Sequence, residues 1–202
     1  GHALDFNKNG NVNPMGGFTL ASGCPVRCQK EGTGGGLNYD NDFSTSGARS
    51  LSDSGTANSY IVSSAGTYSI PAVKGNSSEF VGSVASAEVL WETFGTDVCP
   101  QVGELISSVS YSNGYVRFST PETFREGNAL IAVKDEAGKI LWSWHIWRTD
   151  QPEEHTYVNE QGNTYVMMDR ALGSISAVEG DIGGALYYQW GRKDPFRLND
   201  PL

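Results

Sequence analysis

The chain has 202 residues, enough for one large domain or two small ones with a buried core. Only 18% of the residues are charged, and Gly, Ser, Thr and Asn are abundant, which favours strands joined by polar turns over amphipathic helices. The formal net charge of −9 without any basic run argues against nucleic-acid binding, and no stretch reaches the ~20 apolar residues of a transmembrane helix.

Residues 1–55 are rich in Gly, Asn and Ser and predict a loop-rich N-terminal section with one short strand at residues 18–21. The chain opens on Gly1 without an initiator Met, which fits a processed start. One interpretation is that a leader or a lipid-anchor segment was removed there.

One stretch of this section resembles a calcium loop. Asp5, Asn7 and Asn9 supply oxygen side chains at alternate positions, and Gly10 stands at the sixth position of the loop. The twelfth position is Gly16 rather than an acidic residue. We therefore expect calcium to bind weakly at most, the alternative being an Asn/Gly-rich turn, and the sequence predicts no other cofactor.

The state of the three cysteines is not fixed by the sequence, because an odd number of thiols cannot all form disulfides within one chain. Cys24 and Cys28 have a C-x-x-x-C spacing with no second pair and no nearby His, and Cys99 stands alone before a proline. Structural or free thiols, one disulfide and a metal site all remain as alternatives.

Residues 56–150 carry the clearest strand signals. The predicted strands lie at residues 59–62, 67–70 and 87–92, with Gly66 separating the first two and Pro71 restricting the second to an edge or an end. Two hairpins follow, one turning at residues 112–114 and one at residues 135–138. Short strands separated by turns predict an antiparallel β-sandwich, and the chain as a whole is expected to be mainly β.

The end of the chain predicts a small C-terminal β-rich module over residues 151–202. Residues 151–154 look like a linker, and strands are predicted at residues 156–158 and 164–168. Residues 195–202 contain two prolines and no closing element. The module is therefore expected to be either incomplete or packed on the sandwich.

Five segments carry a recognisable pattern, at residues 57–62, 66–76, 140–147, 168–173 and 188–196, and the fourth begins with a Met-Asp-Arg motif. They resemble a group of Bacteroidetes surface proteins that are often fimbrillin-associated. The final unit, which consists of the last two segments, is also similar to the start of the Fibrobacter succinogenes major paralogous domain, which is thought to be related to C-type-lectin-like folds. Two positions depart from the pattern, Ser59 where Cys is expected and Ala171 where Asn is expected.

The resemblance implies an exported, extracellular or outer-membrane surface protein without established catalytic residues. It further implies an adhesive or glycan-facing role, with a glycan or a host surface protein as partner. The fold alone does not fix that function.

The most unusual segment is the aromatic run at residues 141–147. On a strand, Trp142 and Trp144 point to one face, while His145 and Trp147 point to the other. Either both faces are covered and the tryptophans belong to the core, or one face is exposed and stacks on sugar rings. His145 alone is expected to be a hydrogen-bonded structural group.

A second candidate contact segment lies at residues 187–196, where Tyr188, Trp190 and Arg192 combine aromatic rings with a cation. The alternative is a core strand that ends in a salt-bridged turn. The sequence therefore predicts seven ligand-binding residues: Trp142, Trp144, His145, Trp147, Tyr188, Trp190 and Arg192.

Three classes of function follow from these features. The first is a non-catalytic binding or adhesion module at the cell surface, and the second is a structural or accessory subunit of a surface fibre whose strand edges pair with a neighbour. A hydrolase is the third, and it would require a pocket with at least two convergent titratable groups, for which Cys99, His145 and either Asp150 or Asp169 supply the residue types.

Overall fold

A computed structural model describes residues 2–6, 12–17, 24–25, 47–94, 100–179, 181, 184 and 186–196, with side chains from residue 47 onward. All regular structure in these ranges is β-strand, which confirms a mainly β fold. No helix in the described ranges is long and apolar enough to cross a membrane. The residues at 18–21, Cys28 and Cys99 lie outside the described part, as do Asn7 and Asn9, while Asp5 falls in the first strand.

The fourteen strands of the described ranges are short, and most begin or end at Gly, Ser, Thr or Pro. They are β1 (His2–Phe6), β2 (Val12–Gly17), β3 (Cys24–Pro25), β4 (Arg49–Ser50), β5 (Ser59–Val62), β6 (Gly66–Pro71), β7 (Ser86–Phe94), β8 (Ser108–Ser112), β9 (Tyr115–Thr120), β10 (Gly127–Lys134), β11 (Ile140–Arg148), β12 (Glu154–Val158), β13 (Thr164–Met168) and β14 (Tyr187–Tyr188).

The first four-stranded sheet has the order β5–β11–β10–β7. β10 and β11 form the predicted long hairpin, whose turn is closed by Asp135. One oxygen of that carboxylate accepts the N–H groups of Ala137 and Lys139 at 3.0 and 2.9 Å. β7 pairs antiparallel with β10, whereas β5 pairs parallel with β11.

The second four-stranded sheet has the order β4–β6–β9–β8. β8 and β9 are the predicted hairpin, and Asn113 and Gly114 at its turn have φ of 50° and 84°, the left-handed conformation that this two-residue turn requires. Pro71 ends β6, as predicted. β4 pairs parallel with β6, so each large sheet has one parallel edge strand, while the other pairings in both sheets are antiparallel as predicted.

One apolar core lies between the two sheets, so they form a β-sandwich. Strands of the first sheet contribute every second residue to it, and β6 and β9 contribute from the opposite side. Tyr68 and Phe118 stack there with ring centroids 5.6 Å apart. The buried residues of this core are Tyr60, Val62, Tyr68, Ile70, Ala72, Leu105, Ile106, Val116, Phe118, Ala129, Ile131, Val133, Trp144 and Ile146.

Two charged side chains are buried where the first sheet meets the loop before β8. Glu92 on β7 accepts backbone N–H groups from four consecutive residues of that loop, at 2.9 to 3.3 Å. Arg148 donates to the carbonyl oxygen of Pro121 at 2.9 Å, and its guanidinium lies 5.0 Å from the Phe124 ring. Burial lowers the pKa of Arg148, whereas Tyr68 and Glu92 nearby favour its charged form.

The remaining strands of the described ranges form three two-stranded sheets, β1–β2, β14–β3 and β12–β13. The β12–β13 hairpin corresponds to the two strands predicted in the C-terminal module. β14 joins distant parts of the chain, since Tyr187 pairs with Pro25 and Tyr188 with Cys24.

Candidate functional site

The aromatic run is divided between the two faces of β11. Trp144 and Ile146 point into the sandwich core, and Ser143, His145 and Trp147 point to the outer face of the first sheet. Both Trp144 and Trp147 are fully buried and His145 nearly so. Trp144, His145 and Trp147 therefore do not reach a ligand at the surface, and their prediction as ligand-binding residues is corrected. Trp142 is the one ligand-binding candidate that remains in this segment.

The outer face of the first sheet is buried because the described residues of 170–196 cross it. Leu172, Leu186 and Phe196 of this segment are buried, as is Trp147 on that face of the sheet. Asn128 on β10 fixes the segment to the sheet, since its side-chain amide donates to the carbonyl oxygens of Gly173 and Gly184. We call the described residues of 170–196 the cover segment.

His145 is the central member of a buried hydrogen-bond chain. Its Nε2 lies 2.8 Å from Oδ1 of Asn128, and its Nδ1 lies 2.8 Å from Oγ of Ser59. Because the amide nitrogen of Asn128 already donates to two carbonyls, its Oδ1 is the acceptor, so Nε2 carries the proton and the Ser59 hydroxyl donates to Nδ1. Burial lowers the pKa of His145 to about 3, which keeps the ring neutral.

The order Ser59, His145, Asn128 resembles the nucleophile, base and orienting group of a hydrolase. The buried, neutral imidazole, however, suits a structural hydrogen-bond network. A general base must take up a proton, and burial of His145 strongly opposes its charged form. The predicted partners of His145 do not join it: Asp150 and Asp169 both bind Arg170 instead, and Cys99 lies outside the described residues.

Arg170 holds the start of the cover segment against the end of β11. Its guanidinium is almost fully buried and donates to Asp169 at 2.8 and 2.9 Å and to Asp150 at 2.5 Å. These hydrogen bonds raise the pKa of Arg170, and they lower the pKa of the Asp169 carboxyl. Arg170 of the Met-Asp-Arg motif thus links the cover segment to the sandwich through its ion pair with Asp150.

We expect Asn128→Ala to lower the free energy of unfolding by about 2–3 kcal/mol, because it leaves two carbonyls and the Nε2–H of His145 without their partner. Urea unfolding followed by circular dichroism measures the loss. Amide hydrogen exchange should also accelerate at Leu186, whose N–H bonds to the carbonyl of Leu172 within the cover segment. The exposed Asn163→Ala is the control, with an expected change within about 0.5 kcal/mol. Equal stability of the two variants would contradict a role of Asn128 in fixing the cover segment.

The cover segment and β11 form a common surface around Trp142. Lys193 Nζ lies 4.8 Å from the centre of the Trp142 ring, and Lys74 Nζ lies 6.0 Å from it. The indole Nε1–H donates to Oδ1 of Asn58 at 3.2 Å. Lys193 itself is fixed by Ser143, whose carbonyl and hydroxyl oxygens lie 2.8 and 2.6 Å from Nζ. We call Asn58, Lys74, Trp142 and Lys193 the aromatic–cation patch.

The two cations of this patch also contact carboxylates, Lys74 with Glu79 and Lys193 with Asp194. Their charge is thus balanced locally, while their side chains remain partly exposed. Asp194 additionally accepts the hydroxyl hydrogen of Ser143 at 2.7 Å. The ring, the amide and the ammonium groups are therefore held in fixed positions, as a pre-organised contact surface requires.

A tight turn next to the patch presents Trp190. The N–H of Arg192 bonds to the carbonyl of Gln189 at 3.0 Å, which places Trp190 at the tip with 78% of its surface exposed. Arg192 stands over the Phe196 ring at 3.8 Å from its centre, and Tyr188 is half-buried in β14. All three predicted residues of this segment thus have side chains at or near the surface.

Neither Asn128 as a partner of His145 nor Lys193 as a partner of Trp142 was predicted from the sequence. Asn128 was detectable in principle, because an amide within the otherwise apolar run of β10 must find hydrogen bonds when buried. Lys193 and Trp142 meet only through tertiary structure, and no local pattern indicates it.

No group of three or more His, Cys, Asp or Glu side chains in the described ranges could hold a metal ion. Comparisons of the chain with protein-family models, curated proteins and solved structures found no match. The resemblance to Bacteroidetes surface proteins therefore remains a prediction.

Proposed function

We propose that this protein is a non-catalytic binding module exported to the cell surface. Its contact surface consists of the aromatic–cation patch and the neighbouring Trp190 turn, and its ligand is a glycan or a glycan-bearing surface protein. The observation that carries the proposal is the exposed Trp190, on a segment that also fixes Lys193 against Trp142.

The chemistry of this surface fits a sugar ligand. Indole faces stack on the C–H faces of sugar rings, and ammonium and amide groups donate to or accept from hydroxyl groups. Keeping a tryptophan 78% exposed leaves a large apolar area in water, and such exposed aromatic residues recur at binding surfaces. The surface location is supported by the low charged fraction, the acidic net charge and the family resemblance.

Trp190→Ala is expected to weaken glycan binding by about tenfold or more while leaving the fold intact, because Trp190 contributes little to the core. A glycan array probed with and without calcium identifies the ligand, and calorimetry with the best glycan measures the affinity of each variant. Val102→Ala is the control, since Val102 is 63% exposed in the loop that Glu92 holds. Glycan binding that is lost equally in both variants, or absent from a folded, monodisperse wild type, would refute the glycan ligand.

A further inference from the structure

Arg192 is a cation of the contact surface that forms no salt bridge with a carboxylate of the described residues. It is exposed, on the same turn as Trp190. The two ammonium groups of the aromatic–cation patch differ from it, because each contacts a neighbouring carboxylate. The chain has 23 acidic and 14 basic residues, so carboxylates are not scarce. The guanidinium of Arg192 is therefore able to bind a carboxylate from outside the chain.

The turn brings Arg192 and Trp190 together at the surface. The N–H of Arg192 donates to the carbonyl of Gln189 at 3.0 Å, which closes the turn. Gly191 between the two side chains has a φ of 81°, the left-handed conformation that glycine adopts without strain at the third position of such a turn. The Cα atoms of Trp190 and Arg192 are therefore at most about 7.6 Å apart, since each virtual bond spans 3.8 Å.

The guanidinium of Arg192 is supported from one side by an aromatic ring. Its central carbon lies 3.8 Å from the centre of the Phe196 ring, a contact distance for stacking. Phe196 is buried, and its backbone exchanges two hydrogen bonds with Tyr187, so the ring is a fixed support. The N–H groups of a guanidinium lie in its plane. Stacking on one face therefore leaves its edge available for the two oxygens of a carboxylate.

The charge of the turn is positive although the chain is acidic. Arg192, Lys193 and Asp194 are consecutive, so two cations stand beside one carboxylate. In the neighbouring patch Lys74 and Glu79 balance each other. The net charge of −9 repels anions in general, but charges farther away than about 8 Å are largely screened at physiological ionic strength. An anionic group of a ligand is thus attracted at this turn.

We propose that the glycan bound by this protein carries a carboxylate, as a uronic acid or a sialic acid does, and that Arg192 binds this carboxylate while Trp190 stacks on the sugar ring. In both kinds of sugar the carboxylate is attached directly to the ring. One residue of the glycan therefore supplies the C–H face for the indole and the two oxygens for the guanidinium. This ligand class rests on the proposed glycan-binding function and specifies which sugars it selects.

Isothermal titration calorimetry with acidic sugars and their methyl esters tests the ligand class. Trigalacturonate and sialyllactose are each compared with the methyl ester, which keeps the sugar rings and removes the charge. We expect at least one acid to bind about tenfold or more tightly than its ester in about 50 mM salt, and the ratio to approach one in about 1 M salt.

The outcomes separate the ligand class from the glycan-binding function. Equal affinity of acid and ester, or binding of neutral glycans without either acid, overturns the carboxylate and leaves a glycan-binding protein. A folded wild type that binds no glycan on the array refutes both.

An acidic peptide is the alternative ligand that the guanidinium would attract. It lacks the sugar ring on which Trp190 stacks. Triglutamate is therefore expected to bind at least about tenfold more weakly than the better acidic sugar, and equal affinity would overturn the choice of a sugar.

Variants of Arg192 assign the preference for the acid to its guanidinium. Arg192→Gln should bind acid and ester equally, whereas Arg192→Lys keeps the charge without the planar fork and should retain a reduced preference. Arg49→Gln is the matched control, because Arg49 is also exposed and stands 5.7 Å from the centre of an aromatic ring, that of Tyr68 on the second sheet. It should leave the ratio of the two affinities unchanged.

Circular dichroism verifies that each variant is folded. A wild-type preference for the acid in folded Arg192→Gln, or an equal loss of preference in Arg49→Gln, overturns the role of Arg192. If Arg192→Gln does not fold, Arg192→Lys decides, because an unchanged ratio in that variant contradicts recognition by the guanidinium fork.

Discussion

Replacement of Glu92 by alanine is expected to lower the free energy of unfolding by about 3–5 kcal/mol. The carboxylate is only 3% exposed and accepts the N–H groups of Gly103, Glu104, Leu105 and Ile106. Removing it leaves four neighbouring N–H groups without an acceptor, and those of Leu105 and Ile106 lie in the core. Urea unfolding at pH 7, followed by circular dichroism, measures the loss.

Two controls separate the hydrogen bonds from the removal of any acidic residue. Glu92→Gln keeps the size of the side chain but replaces one acceptor oxygen with a donor, so we expect an intermediate loss of stability. Glu88→Ala removes a carboxylate from the same strand that is 44% exposed and paired with Lys134, and should cost less than about 1 kcal/mol. If Glu92→Ala lost no more stability than Glu88→Ala, the loop would not depend on this carboxylate.

The strands and turns of the sandwich were predictable because their signals are local. Asn113 and Gly114 specify a two-residue turn wherever they separate alternating strands, and the turn residues at 135–138 do the same for the longer hairpin. The parallel pairing of β5 with β11 was not predictable, since it joins residues more than eighty positions apart. Alternating apolar residues and turn residues are local signals that predict hairpins. The pairing of a distant strand with a sheet edge has no comparable local signal.

The site was predictable only in part, for a related reason. Alternation along β11 shows that Trp144 and Trp147 occupy opposite faces, but it cannot show that the cover segment buries the outer face. The sequence predicted Trp142 and Trp190 individually. The segment that carries Trp190 meets Trp142 through Lys193, which reaches β11 only in the folded chain. Whether both faces of β11 are buried thus depends on the cover segment, which begins some twenty residues after the strand ends.

His145 should make the fold acid-sensitive well above the range where carboxyl groups titrate. Its pKa is lowered from 6.5 to about 3 because the ring is buried, with the uncharged Ser59 and Asn128 as its partners. As the pH falls below 6.5, the unfolded chain takes up a proton on this imidazole and the folded chain does not. Stability is therefore fully present above pH 6.5 and is lost progressively down to about pH 3.

The expected loss is about 1.4 kcal/mol for each pH unit below 6.5, or about 2 kcal/mol at pH 5. Urea unfolding at half-unit intervals between pH 7.5 and 4.5 measures the slope. Arg170 lowers the pKa of the Asp169 carboxyl from its ordinary value of 3.8, so this group destabilises the fold only as the pH falls toward that value, below the measured window. The acid dependence in this range therefore reports mainly on the buried imidazole.

His145→Gln is the matched variant, since glutamine keeps an amide that can hydrogen bond but has no titrating group. It should be less stable than wild type at pH 7.5, because one side chain cannot reach both Ser59 and Asn128, yet its stability should stay nearly constant from pH 6.5 to 5. Nuclear magnetic resonance of the ring should show a neutral imidazole with its proton on Nε2 throughout this range. A ring that titrates near pH 6.5 in the folded protein would contradict the prediction, and so would an unchanged slope in the variant. The first result would mean that the cover segment opens to water while the sandwich stays folded, and the second that other groups carry the acid dependence.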